Sequence, residues 1–280
     1  MPQVNYHTTL SGEAVVVLLY HKKLDEVWSE AARALRPILA ACAPSSGGQQ
    51  PHIIGRSRKQ KVCLEQDFVT EKLTVHGKQY VYRQYEGSFS QPNAGVCQKM
   101  LEWAVDVTRG SSDHDLLELY CGNGNFTIPM SQNFRRVVAT EVSKVGVEAA
   151  KWNITANAVA DKVFVARLSS EEFVETWHSK GTRRRLEGLW DWSELQLSTL
   201  FVDPPRAGLD DETVKLMATF DRVVYISCNP ETLHANLKGV AGVTHDVVRF
   251  AAFDQFPFTH HLECGVYLVK KGLPASAGSS

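Results

Sequence analysis

Leu117-Glu118-Leu119-Tyr120-Cys121-Gly122-Asn123-Gly124-Asn125-Phe126 is the stretch that decides the fold. The apolar run Leu116 to Tyr120 predicts a buried strand, the glycines end it, and a helix is expected to follow. A strand passing through a glycine turn into a helix is where doubly wound sheets receive nucleotide-like ligands, because glycine lets the backbone approach the ligand closely. Glu141 lies 19 positions beyond Gly122, just past the next predicted strand, Val137 to Thr140. A carboxylate there accepts hydrogen bonds from both hydroxyls of a ribose. Phe126 and Thr127 stand where a dinucleotide pattern would carry its third glycine, so a pyrophosphate has no close seat. The stretch predicts an adenosine ligand without phosphates, namely S-adenosylmethionine; a purely structural turn beside a surface glutamate is the competing reading, and a nicotinamide-dependent oxidoreductase is disfavoured.

Outward from this point, strands alternate with helices. The pattern predicts a helix from Pro92 to Val107, a helix from Lys144 to Ile154, a strand from Val163 to Ala166, and a helix opened by the capping box of Ser169 with Glu172. Strand Thr199 to Val202, a helix near Thr213 to Phe220, strand Val223 to Ser227 and a helix after Pro230 complete the repeat. Apolar strands alternating with helices imply a parallel sheet covered on both faces. No helix separates the last two strands, Asp246 to Phe253 and Val266 to Val269, so one of them is expected to return antiparallel at the sheet edge.

Before residue 90 the pattern is different. Val15 to Tyr20 reads as a buried strand, a helical repeat from Leu24 to Ile38 is closed by Pro37, Pro44 to Pro51 is a loop, and short β-like runs follow at His52 to Ile54, Lys61 to Leu64, Lys72 to Val75 and Gln79 to Tyr82. The expected organisation is a small α+β domain over 1–89, a catalytic domain over 90–272 and a disordered polar tail over 273–280. The first domain's strand pattern starts almost at Met1 without a leading turn, which predicts that it is incomplete at its N-terminus.

Composition bounds the function. With 280 residues, 44% hydrophobic and 22% charged, the chain can build a packed core and is not a mainly disordered or coiled-coil protein. Its longest apolar run, Ala14 to Tyr20, is far short of the roughly 18 residues of a membrane helix, and no signal peptide opens it, so no membrane partner and a cytoplasmic location are expected. A net charge of −1 leaves nucleic-acid contact to local patches such as Arg56 to Lys61 and Arg183 to Arg185. The six cysteines are too scattered for a zinc site or a disulfide framework and are expected to be reduced and mostly buried.

One cysteine differs. In Ser227-Cys228-Asn229-Pro230-Glu231-Thr232, Cys228 stands between a strand and a helix capped by Asn229, where the helix N-terminus is expected to lower its pKa and favour a nucleophilic thiolate. Asp203-Pro204-Pro205-Arg206 ends another strand in a stiff loop; Asp203 is placed to meet a cofactor or a base, and Arg206 to hold a phosphate or a carbonyl oxygen. In His260-His261-Leu262-Glu263-Cys264-Gly265, apolar neighbours are expected to raise the Glu263 pKa toward use as a base. Adjacent histidines point apart, so a metal is not expected.

Together these motifs resemble the RNA 5-methyluridine methyltransferases, and within them the bacterial-type tRNA (uracil-5-)-methyltransferases that modify the T-loop uridine. The likeness runs from about Tyr6 to Lys271 and takes in Leu18 to Leu24 and Ser88 to Asn93. It implies a Rossmann-like class I methyltransferase domain preceded by the small α+β domain. It further implies Cys228 as nucleophile, Glu263 as base, Gln91, Tyr120, Asn125, Glu141 and Asp203 as S-adenosylmethionine contacts beside the Gly122 turn, and Phe89 and Arg206 beside the target nucleotide. The implied partner is the T-arm of tRNA, met by a monomer. Family members carry a longer N-terminal segment that holds part of the RNA-binding surface, which makes a catalytically silent RNA-binding or tRNA-folding module the alternative. Related ribosomal-RNA enzymes hold an iron–sulfur cluster on clustered cysteines; the spacing here offers none, so neither metal nor cluster is expected.

Overall fold

The computed structural model describes residues 3–43, 47–181 and 183–274, so most of the predicted tail lies outside the described residues. The chain divides into two compact units, Met1–Leu73 with Val81–Ser90, and Thr74–Tyr80 with Gln91–Ser280.

In the first unit, β1 (Gln3–Thr8), β2 (Ala14–Tyr20), β3 (His52–Ser57) and β4 (Gln60–Cys63) form one sheet in that order. The parallel β2–β3 pair needs a crossover, which is helix α1 (Glu26–Cys42), capped by Asp25 accepting from the Trp28 amide. The period-2 alternation of β2 sends Val15 and Val17 to one apolar cluster with Ile54, and Val16 and Leu18 to another with Ile53 and Ala32. Pro37 does not close α1 as its position predicts: the helix continues to Cys42, with Pro37 on the exposed side. A two-stranded hairpin, β5 (Phe68–Val75) and β6 (Lys78–Tyr85), spans the boundary between the units.

The second unit holds a seven-stranded sheet made of β7 (Asp115–Leu119), β8 (Arg136–Thr140), β9 (Val163–Ala166), β10 (Leu197–Val202), β11 (Arg222–Ser227), β12 (His245–Phe253) and β13 (Glu263–Lys270). Its order is β12-β13-β11-β10-β7-β8-β9, with β9, β8, β7, β10 and β11 mutually parallel. The helices are α2 (Ala94–Val107), α3 (Thr127–Met130), α4 (Lys144–Ala156), α5 (Ser170–Ser179), α6 (Asp211–Met217) and α7 (Pro230–Leu237), and α5 carries the predicted capping box. The antiparallel strand is not at the edge. β13 is antiparallel to both β11 and β12 and lies between them, leaving β12 outermost, because the short connection 254–262 permits only an antiparallel return beside β12.

Every residue of β7 is buried, and Leu117, Leu119, Leu200, Val202, Val223 and Tyr225 build the core on one face of the sheet. On β13, Gly265 pairs with Ile226 and Ala251, and a Cβ there would lie 2.8 Å from the Trp103 ring of α2. Only glycine lets α2 close over β13. Gly265→Ala is expected to cost about 1–3 kcal/mol, read from the urea unfolding midpoint; an unchanged midpoint contradicts this packing.

Candidate active site

The strand order reverses between β7 and β10, and the crevice beyond the carboxyl ends of such strands is where doubly wound sheets bind ligands. The chain leaves β7 in left-handed backbone at Tyr120 (φ 63°), Gly122 (φ 57°) and Gly124 (φ 82°). A Cβ on Gly122 would meet nothing within 4 Å, so the turn is open on that side. Glu141, past the end of β8, accepts from the Gly122 amide at 3.0 Å and from the Ser143 amide at 2.7 Å. Its carboxylate thus ties the two turns together. Helix α4 approaches so closely that a Cβ on Gly146 would lie 2.9 Å from the Glu141 Cγ, which makes glycine a requirement there. An open backbone turn and an oriented, half-buried carboxylate fit the adenosine portion of S-adenosylmethionine.

Tyr120 donates its hydroxyl to Ser170 at 2.7 Å, and the Asn125 amide donates to the Cys97 sulfur at 3.4 Å. Gln91 accepts from the Gln255 side chain at 3.0 Å, while Gln255, 1% exposed, accepts from the Asn93 amide. Gln255, which bonds to Gln91, is a buried polar residue that sequence reasoning missed; its signal is a lone amide inside Phe253-Asp254-Gln255-Phe256.

Asp203 follows β10, Cys228 follows β11, and Glu263 opens β13, so all three lie at the same end of the sheet as the Gly122 turn. Ser227 pairs with Cys264 across β11 and β13, and one more step of that antiparallel register sets Cys228 opposite Glu263. Asn229 caps α7 and, with Thr232, donates to the Arg206 carbonyl, which ties the Asp203–Arg206 loop to the Cys228 segment. Arg206 is exposed. Phe89, 73% exposed, belongs to the first unit.

The electrostatics correct one expectation. Cys228 is pushed up, not down: burial raises its pKa first, the charges of Glu263 and Asp203 add to that, and its own backbone N–H and Arg206 only partly offset them. Burial, with the neighbouring carboxylates, outweighs the backbone N–H at the start of α7. Burial lifts Glu263 to about 7, and its Oε2 has no hydrogen-bond partner. Asp203 is raised by burial and then by Glu263. Glu118, on β7 and 1% exposed, is pushed up to about 8, chiefly by burial and further by Asp203, and neither its Oε2 nor the nearby Thr127 hydroxyl completes a hydrogen bond. The sequence did not single out this buried carboxyl.

Of the other cysteines, Cys97, Cys121 and Cys264 are buried as expected, whereas Cys42 and Cys63 are exposed. Among the described residues no group of three or more His, Cys, Asp or Glu side chains could hold a metal ion, and no helix is long and apolar enough to cross a membrane.

The sequence pattern of the tRNA (Uracil-5-)-methyltransferase family matches residues 1–271. The chain belongs to this family. A tRNA/tmRNA (uracil-C(5))-methyltransferase of Erwinia tasmaniensis is 54% identical over 269 residues, 96% of this chain and 71% of that protein. One from Neisseria meningitidis serogroup B is 55% identical over the same shares. Among solved structures, the Pyrococcus abyssi tRNA (uracil-54, C5)-methyltransferase in complex with S-adenosyl-L-homocysteine superposes with a TM-score of 0.61 at 21% identity, covering 92% of this chain and 56% of that one. The M. jannaschii tRNA m1G37 methyltransferase gives 0.54 at 11%, covering 96% and 76%. At these identities the structural likeness establishes the Rossmann-like methyltransferase fold.

Glu263 generates a stability prediction for this family member. Its folded pKa lies above the ordinary carboxylate value, so ionising it opposes folding: the fold loses stability as pH rises from about 4.5 through about 7, and the full cost stands above that. Glu263→Gln should therefore be more stable than the unsubstituted chain at pH 8, by up to about 3 kcal/mol, with the advantage vanishing toward pH 4. Urea unfolding at both pH values checks it, and a variant that is less stable at pH 8 contradicts the assignment.

Proposed function

We propose that the chain transfers a methyl group from S-adenosylmethionine to C5 of a uridine in RNA, the T-loop uridine of tRNA, through a covalent bond between Cys228 and C6. The observation that carries this reading is the register that puts Cys228 against Glu263 on the sheet edge bearing the Gly122–Glu141 turn. The relatives' activity on uracil C5 in tRNA supports it.

C5 of uracil is too weak a nucleophile to take a methyl group unaided. Addition of the Cys228 thiolate forms the S–C6 bond and pushes the C5=C6 electron pair toward C5 and O4 as an enolate. S-adenosylmethionine supplies an electrophilic methyl carried on a sulfonium. Glu263 then takes the proton from the methylated C5, the C–H pair restores C5=C6, and the S–C6 pair returns to Cys228 as thiolate. Overall one proton, the one first held at C5, is released. The uridine must leave its stack to reach the edge, at a cost of a few kcal/mol that is smaller in a loop than in a duplex.

In this reading Gln91, Tyr120, Asn125, Glu141 and Asp203 hold the cofactor beside Gly122, Phe89 and Arg206 hold the nucleotide, and the first unit contributes to RNA binding. Loss of the ribose contact in Glu141→Ala should weaken S-adenosylhomocysteine binding by about 1.5–3 kcal/mol in calorimetry. Unchanged affinity rejects the cofactor assignment.

Both reacting groups work deprotonated, and burial raises both. In single turnover, release of methylated RNA from the covalent adduct should slow as pH falls below about 7, where Glu263 takes up its proton, whereas formation of the methylated adduct should keep rising on the alkaline side as the Cys228 thiol ionises. Glu263→Gln should accumulate a methylated covalent adduct with ordinary uridine, since addition and methylation precede the step that needs the base. A variant that turns over normally with no adduct removes Glu263 from that role.

A further inference from the structure

Two basic runs that are separate in sequence meet in the first unit. β2 and β3 are parallel, with Tyr20 opposite Ser57, so the loop leaving β2 and the turn leaving β3 emerge side by side. The Ser57 hydroxyl donates to the Lys22 carbonyl, and the Leu24 amide donates to the Gln60 side chain at 3.0 Å, which fastens the loop to the turn. Between them is an open cavity of about 620 Å³ lined by His21, Lys22 and Lys23 from one side and Arg58 and Lys59 from the other.

Ion pairing separates these residues from their neighbours. Arg56 is bonded to both oxygens of Glu86, and Lys61 is paired with Asp67 and Glu86. Among nearby acids, Glu26 pairs with Arg33, Glu65 with Arg36, and Asp25 caps α1. Arg183 and Arg185, in the other basic run, are also occupied, by Glu172 and Glu175. Among the described residues Lys22, Lys23, Arg58 and Lys59 have no carboxylate partner, so four positive charges surround one cavity in a chain whose net charge is −1. All four are exposed, and the cavity is open; such an arrangement suits successive phosphates of an extended polyanion better than one enclosed small anion.

We propose that His21, Lys22, Lys23, Arg58 and Lys59 form a subsite for consecutive phosphates of the RNA substrate. The inference rests on the RNA reading above and gives the first unit a definite role, which is to supply affinity and register on the RNA backbone while taking no part in the methyl-transfer chemistry.

The test uses the full chain, a T-arm hairpin, and two paired substitutions, Lys22→Gln with Lys59→Gln and Lys23→Gln with Arg58→Gln. Lys215→Gln, which removes an ammonium already paired with Glu212, serves as control. Each pair should lower the slope of log Kd against log salt concentration by about 2 and raise KM for the hairpin about tenfold, leaving kcat at saturating hairpin and S-adenosylhomocysteine affinity unchanged. Thermal melting checks that the exposed substitutions leave the fold intact. Slopes equal to those of the unsubstituted chain and the control overturn the proposal. So does competition by inorganic phosphate that matches hairpin at equal phosphate concentration, which marks a general anion pocket. An unsubstituted chain that binds hairpin without methylating it defeats the uridine reading while leaving the slope comparison decisive for the subsite.

Discussion

The antiparallel pairing of β13 with β11 is the constraint on which the candidate site depends. A parallel strand in that place would start at the opposite end of the sheet and carry Glu263 there. Reversed, β13 begins where β11 ends, and Glu263 meets Cys228 at the edge that also carries Asp203 and the Gly122 turn. The pairing in turn requires Gly265, because any larger residue collides with Trp103 and lifts α2 from the sheet. A slip of one residue in this register would turn Glu263 to the other face.

The same constraint concentrates acidity. Glu118, Asp203, Glu263 and the Cys228 thiol raise one another's pKa values or are raised by shared burial, and Glu263 Oε2 and Glu118 Oε2 lack hydrogen-bond partners. Such an arrangement opposes folding at neutral pH and is the kind of strain found where chemistry is done. Of these groups Glu263, lifted to about 7, is the one held where a proton is taken up and released around neutral pH.

Much of this was legible in the sequence because it is local. Strand β9 has the predicted bounds, the Ser169–Glu172 capping box forms, and Glu141 accepts from the amide of the glycine turn with which the sequence pairs it. What was not legible depends on contacts distant in sequence. Insertion of β13 between β11 and β12 is fixed by sheet topology, α1 runs past Pro37 because that residue faces outward, and Gln255 reaches Gln91 across 164 positions. The Cys228 environment misleads in the same way: the helix cap is readable from Asn229-Pro230, but the opposing carboxylates come from β10 and β13. In the run Arg56 to Lys61 the ion pairs of Arg56 and Lys61 set those two charges apart from Arg58 and Lys59, which line the cavity.

Identification of the attacking sulfur tests the central claim most directly. A T-arm hairpin with 5-fluorouridine at the target cannot lose its C5 substituent as a proton, so after methyl transfer the RNA should stay bonded to the chain through denaturation. Peptide mass spectrometry of that complex should place the nucleotide on Cys228, and Cys228→Ala should form no complex. A bond to Cys121 or Cys264, or a complex that survives Cys228→Ala, contradicts the account even if methylation is observed.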